Sequence, residues 1–141
     1  MSLARYLLRH SFVRFGIIGA LGYLVDTGVL GIATGILKLE FEAGRAFSIF
    51  IAMAFTWLGN RYFTFADRRA HGVSGAFQEW AKFVGANLLG AVVNYGISVL
   101  LVHYAPLPFS NKYAAQAVGV LAGLVFNFTL SRTIVFKKPP V

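Results

Sequence analysis

The sequence has no cysteine, which excludes disulfides, thiolate metal sites and thiol nucleophiles, and leaves the redox compartment unmarked. Acids are scarce too, five Asp and Glu against thirteen Lys and Arg. Three histidines are present, His10, His71 and His103. No two of them share a helix at metal-ligand spacing, so no metal site is expected. No Ser, His and acid are placed for a triad, and no glycine-rich phosphate loop follows a strand. Asp67 and Glu79 read as solvated loop carboxylates. The expectation is a protein with no catalytic residues and no cofactor.

Charge of either sign is sparse. Only 13% of the 141 residues are charged and 57% are hydrophobic, against about 25% and about 45–50% in a soluble domain. Both deviations point to the membrane class. The net charge of +8 would suit nucleic acid if the basic residues formed a solvated patch. Instead they lie in short clusters between apolar runs, where anionic lipid headgroups are the expected partner and nucleic acid is not.

Four apolar runs stand out: Phe15 to Leu37, broken only by Asp26, then Ala46 to Asn60, Phe83 to Val102 and Tyr113 to Ser131. A helix needs about 20 apolar residues to cross the hydrocarbon core. The second run is short, but Arg45 and Arg61 at its ends are expected to snorkel outward. The first run exceeds the about 7–15 residues of a signal-peptide core and has no clear cleavage site, so it reads as a retained helix. The expected fold is an all-α membrane protein of four transmembrane helices, about 13–36, 44–64, 82–104 and 113–135, in a single domain over 1–141.

Lys and Arg set the orientation. Ten of the thirteen fall on one side (Arg5, Arg9, Arg14, Arg61, Arg68, Arg69, Lys82, Arg132, Lys137, Lys138) and three on the other (Lys38, Arg45, Lys112). The positive-inside rule then puts both termini and the 62–81 loop in the cytoplasm. Pro106 and Pro108 mark a tight non-helical connection on the opposite side.

The chain also matches itself. Arg14-Phe15 aligns with Lys82-Phe83, Gly22 with Gly90, Asp26 with Asn94 and Gly28 with Gly96, all at a shift of 68 (94 − 26). Arg61-x-x-x-Phe65 aligns with Arg132-x-x-x-Phe136 at a shift of 71 (132 − 61). Each unit, about 14–65 and 82–136, is a two-helix hairpin entering the membrane in the same direction, a parallel repeat. Polar and small residues recur at helical steps: Gly19, Gly22, Tyr23 and Asp26, then Arg45, Ser48, Ala52, Thr56 and Asn60. The third and fourth helices carry Asn87, Gly90, Ala91, Asn94 and Ser98, and Gln116, Gly119, Gly123, Asn127 and Ser131. Such stripes are packing seams, in which small residues let backbones approach and amides bond across helices. A lone Asp26 at mid-helix costs about 2.5–3.5 kcal/mol on insertion scales, so a partner is expected. Arg45 lies at a comparable depth on the neighbouring helix, and the repeat equivalents, Asn94 and Gln116, are a neutral amide pair.

Helices two and four end in Trp57-x-x-Asn60-Arg61-Tyr62-Phe63 and Asn127-Phe128-x-x-Ser131-Arg132. Each puts amide or hydroxyl groups, an arginine fork suited to phosphate, and aromatics at headgroup depth. The same features serve an ordinary interfacial anchor. With Arg14-Phe15 opening the first helix, Asp26 within it, and Asn60-Arg61-x-x-x-Phe65 closing the second, the ordered set resembles the GtrA-like family over about 12–137. Thr56 and Ser131 stand where that family usually has Asn. The resemblance implies a membrane protein that moves polyprenyl-phosphate-linked sugars across the bacterial inner (plasma) membrane, for modification of cell-surface polysaccharide. It also implies a partner membrane glycosyltransferase that loads the lipid. The candidate lipid-phosphate and sugar ligands are Arg14, Asn60, Arg61, Lys82, Asn127 and Arg132, and the intramembrane seam is Asp26, Arg45, Asn87, Asn94 and Gln116. Two alternatives stand beside transport of lipid: a scaffold that anchors the transferase by the basic 62–82 segment with Trp80, and a small proton-coupled exporter using Asp26. A homo-oligomer is compatible with all three.

Overall fold

The computed structural model describes residues 2–67 and 69–130, and every regular element among them is helical. A short α1 (Leu3–Arg9) leads into α2 (Ser11–Gly31), which a π turn at Ile32–Ile36 prolongs. The next helix, α3 (Phe41–Gly59), is likewise prolonged by a π turn at Asn60–Thr64. Then come α4 (Gly72–Tyr104) and α5 (Lys112–Leu130). Val13–Ile36 and Phe41–Thr64, 24 residues each, and Gly72–Tyr104, 33 residues, are long and apolar enough to cross a membrane. At 1.5 Å per residue, 24 residues reach about 36 Å, more than the hydrocarbon core requires. The chain is a multi-pass membrane protein.

Expected and observed bounds differ most at the third helix. It begins at Gly72 rather than 82, so the expected 62–81 loop loses 72–81 to α4 and 62–64 to the π turn. The reason is in the pattern: Val73, Ala76, Phe77 and Trp80 follow helical spacing, and Gly72, at φ 77°, gives the left-handed turn that admits the helix. The fourth expected helix, 113–135, is described as far as Leu130, and its last residues lie outside the described ones.

The chain divides into two compact units, Met1–Ala81 and Lys82–Val141, with the boundary inside α4. In the first, α2 and α3 form a hairpin. Its seam is built on missing side chains. A Cβ on Gly59 would lie 2.9 Å from Ile18, one on Gly44 2.8 Å from Thr34, and one on Gly22 would run into the Thr56 methyl. Lipid tails are as apolar as the side chains, so such close packing, with interhelical hydrogen bonds, is what holds membrane helices together. The hairpin turns at Lys38, whose φ of 55° ends the π turn, and the Leu39 N–H donates to the Ala33 carbonyl at 3.0 Å.

In the second unit the seam runs along Gly90, Ser98, Ala115, Gln116, Gly119 and Gly123, all buried. A Cβ on Gly90 would strike the Asn127 amide, and one on Gly119 would strike Ser98 and Asn94. Pro106 and Pro108 lie in a non-helical connection, as their spacing predicts. Asn111 closes it as the cap of α5, its Oδ1 accepting from the Tyr113 N–H at 3.0 Å.

Candidate functional site

Asp26 faces into the α2–α3 seam. Arg45 Nη1 donates to Asp26 Oδ1 at 2.6 Å and to Ser48 Oγ at 2.9 Å, and Ser48 donates on to the Arg45 carbonyl at 3.0 Å. The Arg45 side chain is fully buried and that of Asp26 is 6% exposed. Gly44 packs against Ala33 and Thr34, about two turns from Asp26, so the Arg45 side chain runs along the seam to reach it. The expected ion pair is formed, and the expected snorkelling of Arg45 is not. Inside the bundle the guanidinium finds a counter-ion and a hydroxyl, whereas turning outward would strand Asp26 in a medium where one unpaired charge is costly.

A second polar group closes the other end of the same hairpin. The π turn is defined by the Phe65 N–H donating to the Asn60 carbonyl at 2.8 Å. Its wider winding brings Asn60, Arg61 and Thr64 together on the buried side. Thr64 Oγ1 donates to Asn60 Oδ1 at 2.8 Å. The Arg61 guanidinium splits its bonds, Nη1 to Glu79 Oε2 at 2.8 Å and Nη2 to the Ala70 carbonyl at 2.7 Å. The Ala70 N–H donates to the same Glu79 oxygen at 2.9 Å. Trp57 and Tyr62 add ring faces 5.8 and 5.6 Å from the Arg61 guanidinium carbon. Arg14 reaches in from α2, donating Nη1 to the Phe63 carbonyl at 3.0 Å, while its buried Nε has no partner.

Three of the candidate lipid ligands, Arg14, Asn60 and Arg61, therefore gather at one end of the first unit. Glu79 belongs with them. Read as a solvated loop carboxylate, it is instead a helical residue with a side chain 28% exposed and paired with Arg61. The helical spacing from Val73 to Trp80 was the available signal. The first-helix stripe needs correcting as well: Gly22 and Asp26 face the seam, but Gly19 and Tyr23 turn outward.

In the second unit Asn87 Nδ2 donates to the Phe83 carbonyl at 2.8 Å, and Asn127 Nδ2 lies 3.5 Å from Asn87 Oδ1, at the weak limit of a hydrogen bond. Asn127 Oδ1 is buried without a partner. Gln116 is fully buried, Asn94 half-buried and Lys82 exposed. Arg132 lies outside the described residues. No cluster of three or more potential metal ligands exists among the described residues.

Two features of this chain now coincide, a membrane hairpin seam holding paired polar groups and arginine-aromatic ends. The sequence matches the GtrA/DPMS transmembrane-domain family over residues 14–136. The chain belongs to this family. No curated protein and no solved structure matches it. A GtrA/DPMS domain suggests a membrane function related to polyprenyl-phosphate-linked sugars. The match begins at Arg14 and ends at Phe136, the residues that open and close the basic-aromatic pattern.

Proposed function

We propose that this GtrA/DPMS domain translocates a polyprenyl-phosphate-linked monosaccharide across the bacterial inner membrane, without catalysing a reaction. The cargo's sugar phosphate must cross about 30 Å of hydrocarbon while its tail stays in lipid. One observation carries the reading: a seam between apolar helices lined with polar groups that already satisfy one another, Asn60, Arg61 and Thr64 at one end and Asp26, Arg45 and Ser48 within. Intramembrane polar groups are costly to retain and mark substrate paths.

On this reading both termini are cytoplasmic, as the ten-to-three distribution of Lys and Arg implies. The segments 14–65 and 82–136 act as two halves of one domain. The close approaches of Gly22 to Thr56 and Gly90 to Asn127 support this, because the positions differ by 68 (90 − 22) and 71 (127 − 56). A membrane glycosyltransferase supplies the loaded lipid on the cytoplasmic face.

The test is translocation of a radiolabelled polyprenyl-phosphate monosaccharide in proteoliposomes, with outer-leaflet label measured by its accessibility to an added glycosidase. The wild-type chain should move label between leaflets faster than protein-free vesicles do, and Arg61→Ala should slow it. Equal rates with and without protein would remove the transport reading and leave the transferase scaffold.

A further inference from the structure

The first unit contains an open apolar groove of about 410 Å³. One wall is the Phe50, Ala54 and Trp57 face of α3, and the other is the Ala76, Phe77 and Trp80 face at the start of α4. The rings of Trp57 and Trp80 meet at 5.3 Å, and Phe50 stands edge-on to Trp80 at 6.2 Å. Alanines on both walls keep the groove open between the rings.

Trp57, on the groove wall, also carries the Arg61 guanidinium, 5.8 Å from its ring. There two donors, Arg61 Nη1 and the Ala70 N–H, converge on a single oxygen of Glu79 at 2.8 and 2.9 Å. That is the donor arrangement of an anion seat, filled by an internal carboxylate. A second cation stands close by, Arg69, with its guanidinium 5.1 Å from the Tyr62 ring.

We propose that the groove seats the single hydrocarbon chain of an isoprenoid phosphate, with its phosphate at Arg61, and that Glu79 holds the phosphate's place until the lipid enters. This rests on the transport reading and adds the location of the cargo lipid. An isoprenoid phosphate brings one hydrocarbon chain to this groove of about 410 Å³, whereas a diacyl lipid brings two. A phosphate offers more acceptor oxygens than a carboxylate, so it can take both donors and keep Arg61 paired. The displaced Glu79 already has 28% of its side chain exposed, so the carboxylate has a way out to solvent.

Trp57 and Trp80 are the two tryptophans of the chain, so intrinsic fluorescence of the full-length protein in nanodiscs reports this groove directly. A polyprenyl phosphate carrying a nitroxide near its phosphate end should quench saturably. Nitroxide-labelled phosphatidic acid should not. Ala54→Phe, which fills the groove, should weaken the saturable quenching by about tenfold or more, and Glu79→Gln, which keeps an acceptor for Ala70 but removes the competing charge, should tighten it by about tenfold. Ala54→Phe alone carries the test if Glu79→Gln does not fold. Radiolabelled polyprenyl phosphate that co-purifies with the protein yet leaves tryptophan emission unchanged would overturn the groove and spare the transport reading. If no radiolabel is retained, the transport reading fails and this site with it. Equal quenching by phosphatidic acid would reduce the groove to ordinary lipid contact, and unchanged or weaker binding by Glu79→Gln would remove the gate.

Discussion

The Asp26–Arg45 pair allows a quantitative test, because the proposed repeat aligns it with two neutral amides, Asn94 and Gln116. Asp26→Asn leaves the fully buried Arg45 without its counter-ion, and Arg45→Gln leaves Asp26 charged in the seam. Breaking a buried pair from one side costs about 3–5 kcal/mol, and an uncompensated mid-helix charge about 2.5–3.5 on insertion scales. Each single substitution should therefore cost about 3 kcal/mol, a change of more than about a hundredfold in the folded population. The double Asn/Gln variant copies Asn94 and Gln116 and buries no charge. Its remaining loss should be about 2 kcal/mol, since an interhelical side-chain hydrogen bond in a membrane averages only about 0.6 kcal/mol. The coupling would then be about 4 kcal/mol, above the usual range for neighbours because each single variant strands a charge. Reversible unfolding in mixed micelles, followed by circular dichroism, measures all four corners of the cycle. A double variant as impaired as the two singles combined would refute the argument, and Asp26 would then be facing substrate or a proton path instead.

Gly22→Ala should destabilise by about 1–3 kcal/mol, because its methyl enters the space of Thr56, whereas Gly19→Ala, with open space around it, should be neutral or slightly stabilising in the same unfolding assay. Arg61→Lys should keep only part of the affinity for a polyprenyl-phosphate sugar, since one ammonium cannot replace a fork that bonds Glu79 and Ala70 through separate nitrogens; the double Arg61→Ala, Arg132→Ala variant should lose most of it, and unchanged binding would reduce both arginines to topology anchors. A reporter active only outside the cytoplasm should be silent when fused after Val141 and active near Pro108; a strong C-terminal signal would contradict the charge count.

The Asp26–Arg45 contact could be read from the chain because two strong constraints act on it. A mid-helix acid demands a partner, and a fixed rise per residue sets which residues lie at its depth. The seam glycines were legible for a similar reason, since helical periodicity places Gly22, Gly90, Gly119 and Gly123 on faces that must pack. Sequence periodicity is blind to π turns, and so it could not show that Arg61 turns inward beside Asn60 instead of reaching for water. Glu79 was missed for a different reason. The small and polar residues from His71 to Gly75 look like a loop, so the helical start of α4 was obscured and its carboxylate lost its context. The helix-two stripe from Arg45 to Asn60 held because an unbroken α winding carries it as far as the π turn. Arg132, which the arginine-aromatic end of helix four and the repeat both single out, lies outside the described residues.

The buried pair also bears on how the membrane potential acts on this protein. An elementary charge moved through the full field gains or loses about 2.3 kcal/mol per 100 mV. Asp26 and Arg45 carry opposite charges joined by one 2.6 Å bond, so any motion that carries them together through the membrane involves no net charge. Asn94 and Gln116, their counterparts in the proposed repeat, are uncharged. The seam is thus electrically silent to a voltage step, and a gating current would signal the pair coming apart. A voltage dependence of translocation would then report the charge on the cargo.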